Sequence, residues 1–145
     1  MKNSAFAALF MCAFGLPPAS AEEPHVITYN GAYEDARFAV ETAIVNHGLV
    51  IDYVSHVGDM LIRTNEDVGG SEHLFSEAEI FVFCSAIVSR EVMEIDPMNL
   101  AHCPYGIFVA ERRGKVMIGY RDYPEGPMDL VEDMLAKIVT EAAEF

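Results

Sequence analysis

Two cysteines, Cys84 and Cys103, and the histidine preceding the second, His102, are the residues whose types and spacing offer the most chemistry in this sequence. A thiol pair can close into a disulfide, cycle between thiol and disulfide, or hold a soft metal ion. Cys84 closes a stretch rich in β-branched and aromatic residues, and Cys103 stands just before another. If those stretches are antiparallel neighbours, the end of the first lies beside the start of the second. Both cysteines then reach the same edge of one sheet.

Three states of the pair follow. A disulfide would close a loop of 18 intervening residues and contribute about 3 kcal/mol in the chain-entropy picture. Alternatively, Cys84, His102 and Cys103 would form a soft site for copper or zinc. Adjacent side chains of an extended segment point to opposite faces, which works against His102 and Cys103 sharing one ion. The third state is two buried, reduced thiols packed as small apolar side chains. For redox cycling, one thiol needs a lowered pKa, and His102 is the nearby residue that would supply the charge. There is no C-x-x-C and no C-x-x-C-H, so thioredoxin-type chemistry and covalent haem attachment lack support.

Other polar residues are read as surface. Glu79 and Asp52 interrupt apolar strands and by alternation face solvent. His56 and His73 are loop histidines, and the methionines are packing residues. No G-x-S-x-G, H-E-x-x-H or phosphate-cradling glycine loop occurs.

The compartment bears on the cysteines. Lys2 precedes an apolar run of twelve residues, 5–16, and then come Pro17, Pro18 and the small-residue triplet Ala19-Ser20-Ala21. This is the pattern of a cleavable signal peptide, residues 1–21, cut after Ala21. The run is too short for a membrane span, which takes about 20 apolar residues. Export would place residues 22–145 in the periplasm or outside the cell, as a single domain. Cleavage would also remove Cys12 and leave Cys84 and Cys103 as an even pair where disulfides persist. That portion carries eight basic and 23 acidic side chains, a formal charge of −15. Nucleic acid and anionic lipid are polyanions and are disfavoured as partners.

The elements that must position these residues follow from periodicity. Strands are expected at 25–29, 49–57, 78–85, 105–111 and 115–120. Residues 33–46 carry a helical stripe of Ala36, Phe38, Val40, Ala43 and Ile44, ended by Gly48 as a left-handed cap. Residues 59–64 are either a short helix or an extension of the preceding strand. Residues 86–99 read as a helix broken at Asp96-Pro97. Residues 128–143 form a closing helix with Leu130, Val131, Met134, Leu135, Ile138 and Val139 inward. This order predicts a two-layer α+β domain of β-α-β4-α type, a mostly antiparallel sheet with helices packed on one face.

Certain residues carry a family likeness. They are the helix ending in His47-Gly48, the run from Glu79 to Cys84, Asp96-Pro97, the segment from His102 to Val109, and the hairpin from Gly114 to Tyr120. From His25 to Tyr123 the chain resembles domain-of-unknown-function family 302. The resemblance implies a fold of the TATA-binding-protein-like type in a single copy. It supplies no activity and no functional residues, and fold alone does not fix function.

The resulting functional expectation is an exported, non-enzymatic binding module for a small molecule or a metal ion. A pocket between sheet and helices would be lined or braced by Cys84 and Cys103. The alternative is a thiol–disulfide redox or sulfur-handling protein using the same two residues.

Overall fold

The computed structural model describes residues 23–145. The signal segment, residues 1–21, and its cleavage point lie outside the described residues.

Five strands form one sheet: β1 (His25–Tyr29), β2 (Val50–Ser55), β3 (Glu77–Cys84), β4 (Tyr105–Arg112) and β5 (Lys115–Tyr120). They lie in the order β1-β5-β4-β3-β2, and every neighbouring pair is antiparallel. The helices are α1 (Tyr33–Asn46), α2 (Val57–Thr64), α3 (Ala86–Ile95) and α4 (Asp129–Ala143), with a 3-10 turn at Pro97–His102. The α+β class and the antiparallel sheet expected from the sequence are therefore present.

Helices α1 and α4 pack on each other and on one face of the sheet. From α1, Tyr33, Ala36, Ala39, Val40, Ala43 and Ile44 are buried. They meet Phe81 and Phe83 of β3, Ile107 and Val109 of β4, and Ile118 of β5 in one continuous core. Phe38 is a correction: it is 65% exposed. At about 100° per residue it stands roughly 200° from Ala36, on the far side of the helix. Leu130 likewise sits at the margin of the buried stripe of α4, whose inward residues are Val131, Leu135, Ile138, Val139 and Ala142.

The segment left open between strand and helix is the helix α2. Strand β2 stops pairing at Ser55 opposite Ile80, and α2 then runs alongside the start of β3. Gly58 makes this approach possible, because a Cβ there would collide with the backbone nitrogen of Ala78. Among the described residues no helix is long and apolar enough to cross a membrane.

The other face of the sheet carries no helical layer from α1 and α4. Alternation places Ile80 and Val82 of β3, Gly106, Phe108 and Ala110 of β4, and Met117 of β5 there. Tyr53 and Val50 continue that face onto β2, where they are 62% and 74% exposed.

Candidate functional site

The thiol pair is assembled by the β3–β4 connection. Cys84 ends β3, and Ser85 caps the next helix by accepting a hydrogen bond from Val88 N–H at 3.3 Å. After α3, Asp96 accepts from Met98 N–H at 2.9 Å and Pro97 starts the 3-10 turn. The turn ends at His102, and Cys103 leads through a cis bond to Pro104 into β4. Phe83 pairs with Tyr105, so the two ends meet. The sulfurs of Cys84 and Cys103 lie 2.7 Å apart, both free and both partly buried. Ser89 Oγ stands 3.9 Å from the Cys103 sulfur and 3.0 Å from the Tyr105 hydroxyl.

Burial pushes the Cys84 thiol up to about 12, and the hydrogen bond to Cys103 and that neighbour's charge act in the same direction. A nucleophilic thiol needs the opposite shift.

His102 does not join the sulfurs. Its ring packs edge-on against Tyr123, centroids 6.0 Å apart, and its carbonyl accepts from Arg121 Nη2 at 2.8 Å. Among the described residues, Cys84, His102 and Cys103 do not form a set of donor atoms within 4.8 Å of one another. His102 ends the 3-10 turn rather than extending β4, and its ring is taken up by Tyr123.

Beside the pair a pocket of about 260 Å³ opens on the uncovered sheet face. It is lined by Ile80, Val82, Pro104, Gly106, Phe108 and Arg121, together with Tyr105, whose ring is buried in the core. The Arg121 guanidinium is held in place by the His102 carbonyl and by the Tyr123 ring, 4.7 Å away. The pocket thus lies outside the two layers, whereas the sequence led us to expect it between them. The space between the layers beneath it is filled by Phe81, Phe83, Ile107 and Tyr105. A hollow of about 350 Å³ also lies between α2 and the loop after it. All its walls belong to residues 61–75, so its shape depends on that one loop.

Two clusters escaped the sequence reading. Glu79, expected at the surface, is only 14% exposed and turns toward the helices. It accepts from Arg37 Nε at 2.7 Å through one oxygen, and the other lies 2.7 Å from His56 Nδ1. A charged residue inside an apolar strand was the available signal, and it needed a partner 42 positions away in sequence. The second cluster joins His25, Asp122 and Glu132 at the β1 edge of the sheet. No local motif links residues so far apart. Asp52 is exposed, as expected.

Comparison with known proteins adds a family and a fold. The sequence model of "Domain of unknown function DUF302" matches residues 25–144. The structure is similar to the crystal structure of the uncharacterized conserved protein DUF302 from Bacillus stearothermophilus. Identity is 12%, coverage is 83% of this chain and 95% of that chain, and the TM-score is 0.65. No curated protein matches this chain.

Proposed function

This chain belongs to the DUF302 family, and we propose that it acts as an exported, non-enzymatic binding domain for a small organic anion with an apolar body. The observation that carries this reading is the pocket beside Pro104, lined by apolar residues and by Arg121, whose guanidinium is fixed by the Tyr123 ring and the His102 carbonyl. On a protein of strongly negative net charge, such a site selects for an anionic head by charge and for an apolar body by burial. The ligand enters from the open sheet face, without displacing the core.

In this reading Cys84 and Cys103 brace the pocket. Cys103 precedes the wall residue Pro104, and a bond to Cys84 would fix that wall to the end of β3. The raised pKa of Cys84 disfavours that residue as the attacking thiolate of exchange chemistry. Export from the cytoplasm, proposed from residues 1–21, would favour the bonded state.

The test uses 1-anilinonaphthalene-8-sulfonate, an apolar anion, as the fluorescent probe. One probe per chain should bind. Arg121→Gln should weaken binding by roughly tenfold, the loss of one charge-assisted contact. Gly106→Ala places a Cβ 3.1 Å from Ile80 Cγ2 and should crowd the pocket and weaken binding, with thermal unfolding followed alongside to confirm that the variant is folded. Equal binding by parent and both variants would overturn the assignment.

A further inference from the structure

The site lies where the edge strand β1 and the end of β5 meet α4. His25 opens the edge strand β1, Asp122 follows β5, and Glu132 lies in the first turns of α4. His25 Nε2 is 3.0 Å from Asp122 Oδ1 and 3.6 Å from Glu132 Oε1. All three donor atoms fall within 4.8 Å of one another. We propose that His25, Asp122 and Glu132 form a binding site for a first-row divalent metal ion, through one imidazole and two carboxylates.

The spacing fits. Nitrogen and oxygen ligands about 2.0–2.2 Å from an ion stand roughly 3.0–3.5 Å apart in octahedral or tetrahedral arrangement. The 3.0 and 3.6 Å separations need only small adjustment.

The three side chains are also positioned by contacts of their own. Glu132 Oε1 accepts from Tyr123 N–H at 2.7 Å, which aims its carboxylate at His25. The His25 ring stacks on Tyr120, centroids 4.8 Å apart and planes 20° apart. Asp122 and Glu132 are 29% and 24% exposed, so an ion would keep an open side for water.

Charge points the same way. Among the described residues, neither carboxylate has a lysine or arginine within ion-pair distance. Two carboxylates face one imidazole at this site. A divalent cation balances that local excess. One nitrogen and two hard oxygens suit manganese, iron, cobalt or zinc over copper(I), which prefers sulfur.

The test is a titration of the tag-free protein with Co²⁺, followed by optical absorption and by NMR of the histidine rings. One ion per chain should bind, with visible d–d bands and no thiolate charge-transfer band. The His25 ring signals should show the largest shift and broadening of any histidine, with smaller through-space shifts at nearby rings such as His102. Asp122→Asn and His25→Ala should each weaken binding by roughly tenfold or more. Asp122→Asn preserves side-chain shape, so it keeps the test decisive if His25→Ala unfolds. A thiolate band, shifts confined to other histidines, or undiminished binding by Asp122→Asn would each overturn the site, as would the absence of binding.

Discussion

Arg37 on α1 and Glu79 on β3 meet at 2.7 Å across the helix–sheet interface, and His56 completes the grip on the same carboxylate. The pair ties the first helix to the strand that ends in Cys84. The carboxylate is mostly buried while both partners reach solvent. Removing the acid therefore strands little charge, and the cost lies between that of a surface pair and a fully buried one. Glu79→Gln should lower unfolding free energy by about 2 kcal/mol in urea titration. A loss under 0.5 kcal/mol would show that the pair is only a surface contact.

Tyr33 lies in the same interface, and its buried hydroxyl has no hydrogen-bond partner among the described residues. Burial and the Glu79 carboxylate both keep it protonated. Deleting an unpaired buried hydroxyl removes a desolvation cost without losing a bond. Tyr33→Phe should be neutral or stabilising by up to about 1 kcal/mol in the same titration. Clear destabilisation would reveal a partner for the hydroxyl.

The hairpin between β4 and β5 turns on Arg113 and Gly114, with φ of 52° and 73°. Two left-handed residues in succession are what a type I′ turn requires, and arginine is the strained member. Arg113→Asn should raise the thermal midpoint and Gly114→Ala should lower it, each by the equivalent of about 0.5–1 kcal/mol. Midpoints moving in the opposite directions would contradict this turn.

The fold was legible where local pattern decides it. Strand His25–Tyr29, helix Tyr33–Asn46 and strand Lys115–Tyr120 have the bounds that periodicity predicted. The nearness of Cys84 and Cys103 followed from two strands read as antiparallel neighbours. Other features depend on distant partners. Phe38 fits an apolar stripe by composition, yet its angle on the helix turns it outward. Glu79 and the His25, Asp122 and Glu132 cluster need the strand order before they acquire meaning, because β1 pairs with the last strand. The pocket depends on which sheet face the helices leave bare, and alternation alone gives both faces equal standing.

Glu141 on α4 accepts from Asn46 at 2.9 Å and lies 3.0 Å from His47, at the end of α1. The Asn46 hydrogen bond, and then His47, hold its pKa below the usual value of 4.5. A depressed carboxylate adds stability above its unfolded pKa and loses it as pH falls through the folded one. Below about pH 4.5 the parent should therefore lose stability faster than Glu141→Gln. Parallel acid limbs in the two proteins would contradict the link.

The thiols give a separate check on the brace. Without reductant, the purified protein should show no reactive thiols, and reduction should cost about 3 kcal/mol in unfolding free energy. Once reduced, Cys84 should react with iodoacetamide far more slowly than a free thiol at pH 8, since its pKa is pushed up to about 12. Two freely reactive thiols in the untreated protein would remove the brace from the account.

The binding reading is tested most directly by mapping where an apolar anion contacts the protein. Backbone and arginine side-chain NMR signals should be followed during titration with 1-anilinonaphthalene-8-sulfonate. The account predicts saturable shifts at Val82, Gly106, Phe108 and the Arg121 Nε–H, the residues around the pocket on the uncovered face. Shifts confined to residues 61–75, or none at Arg121, would contradict it.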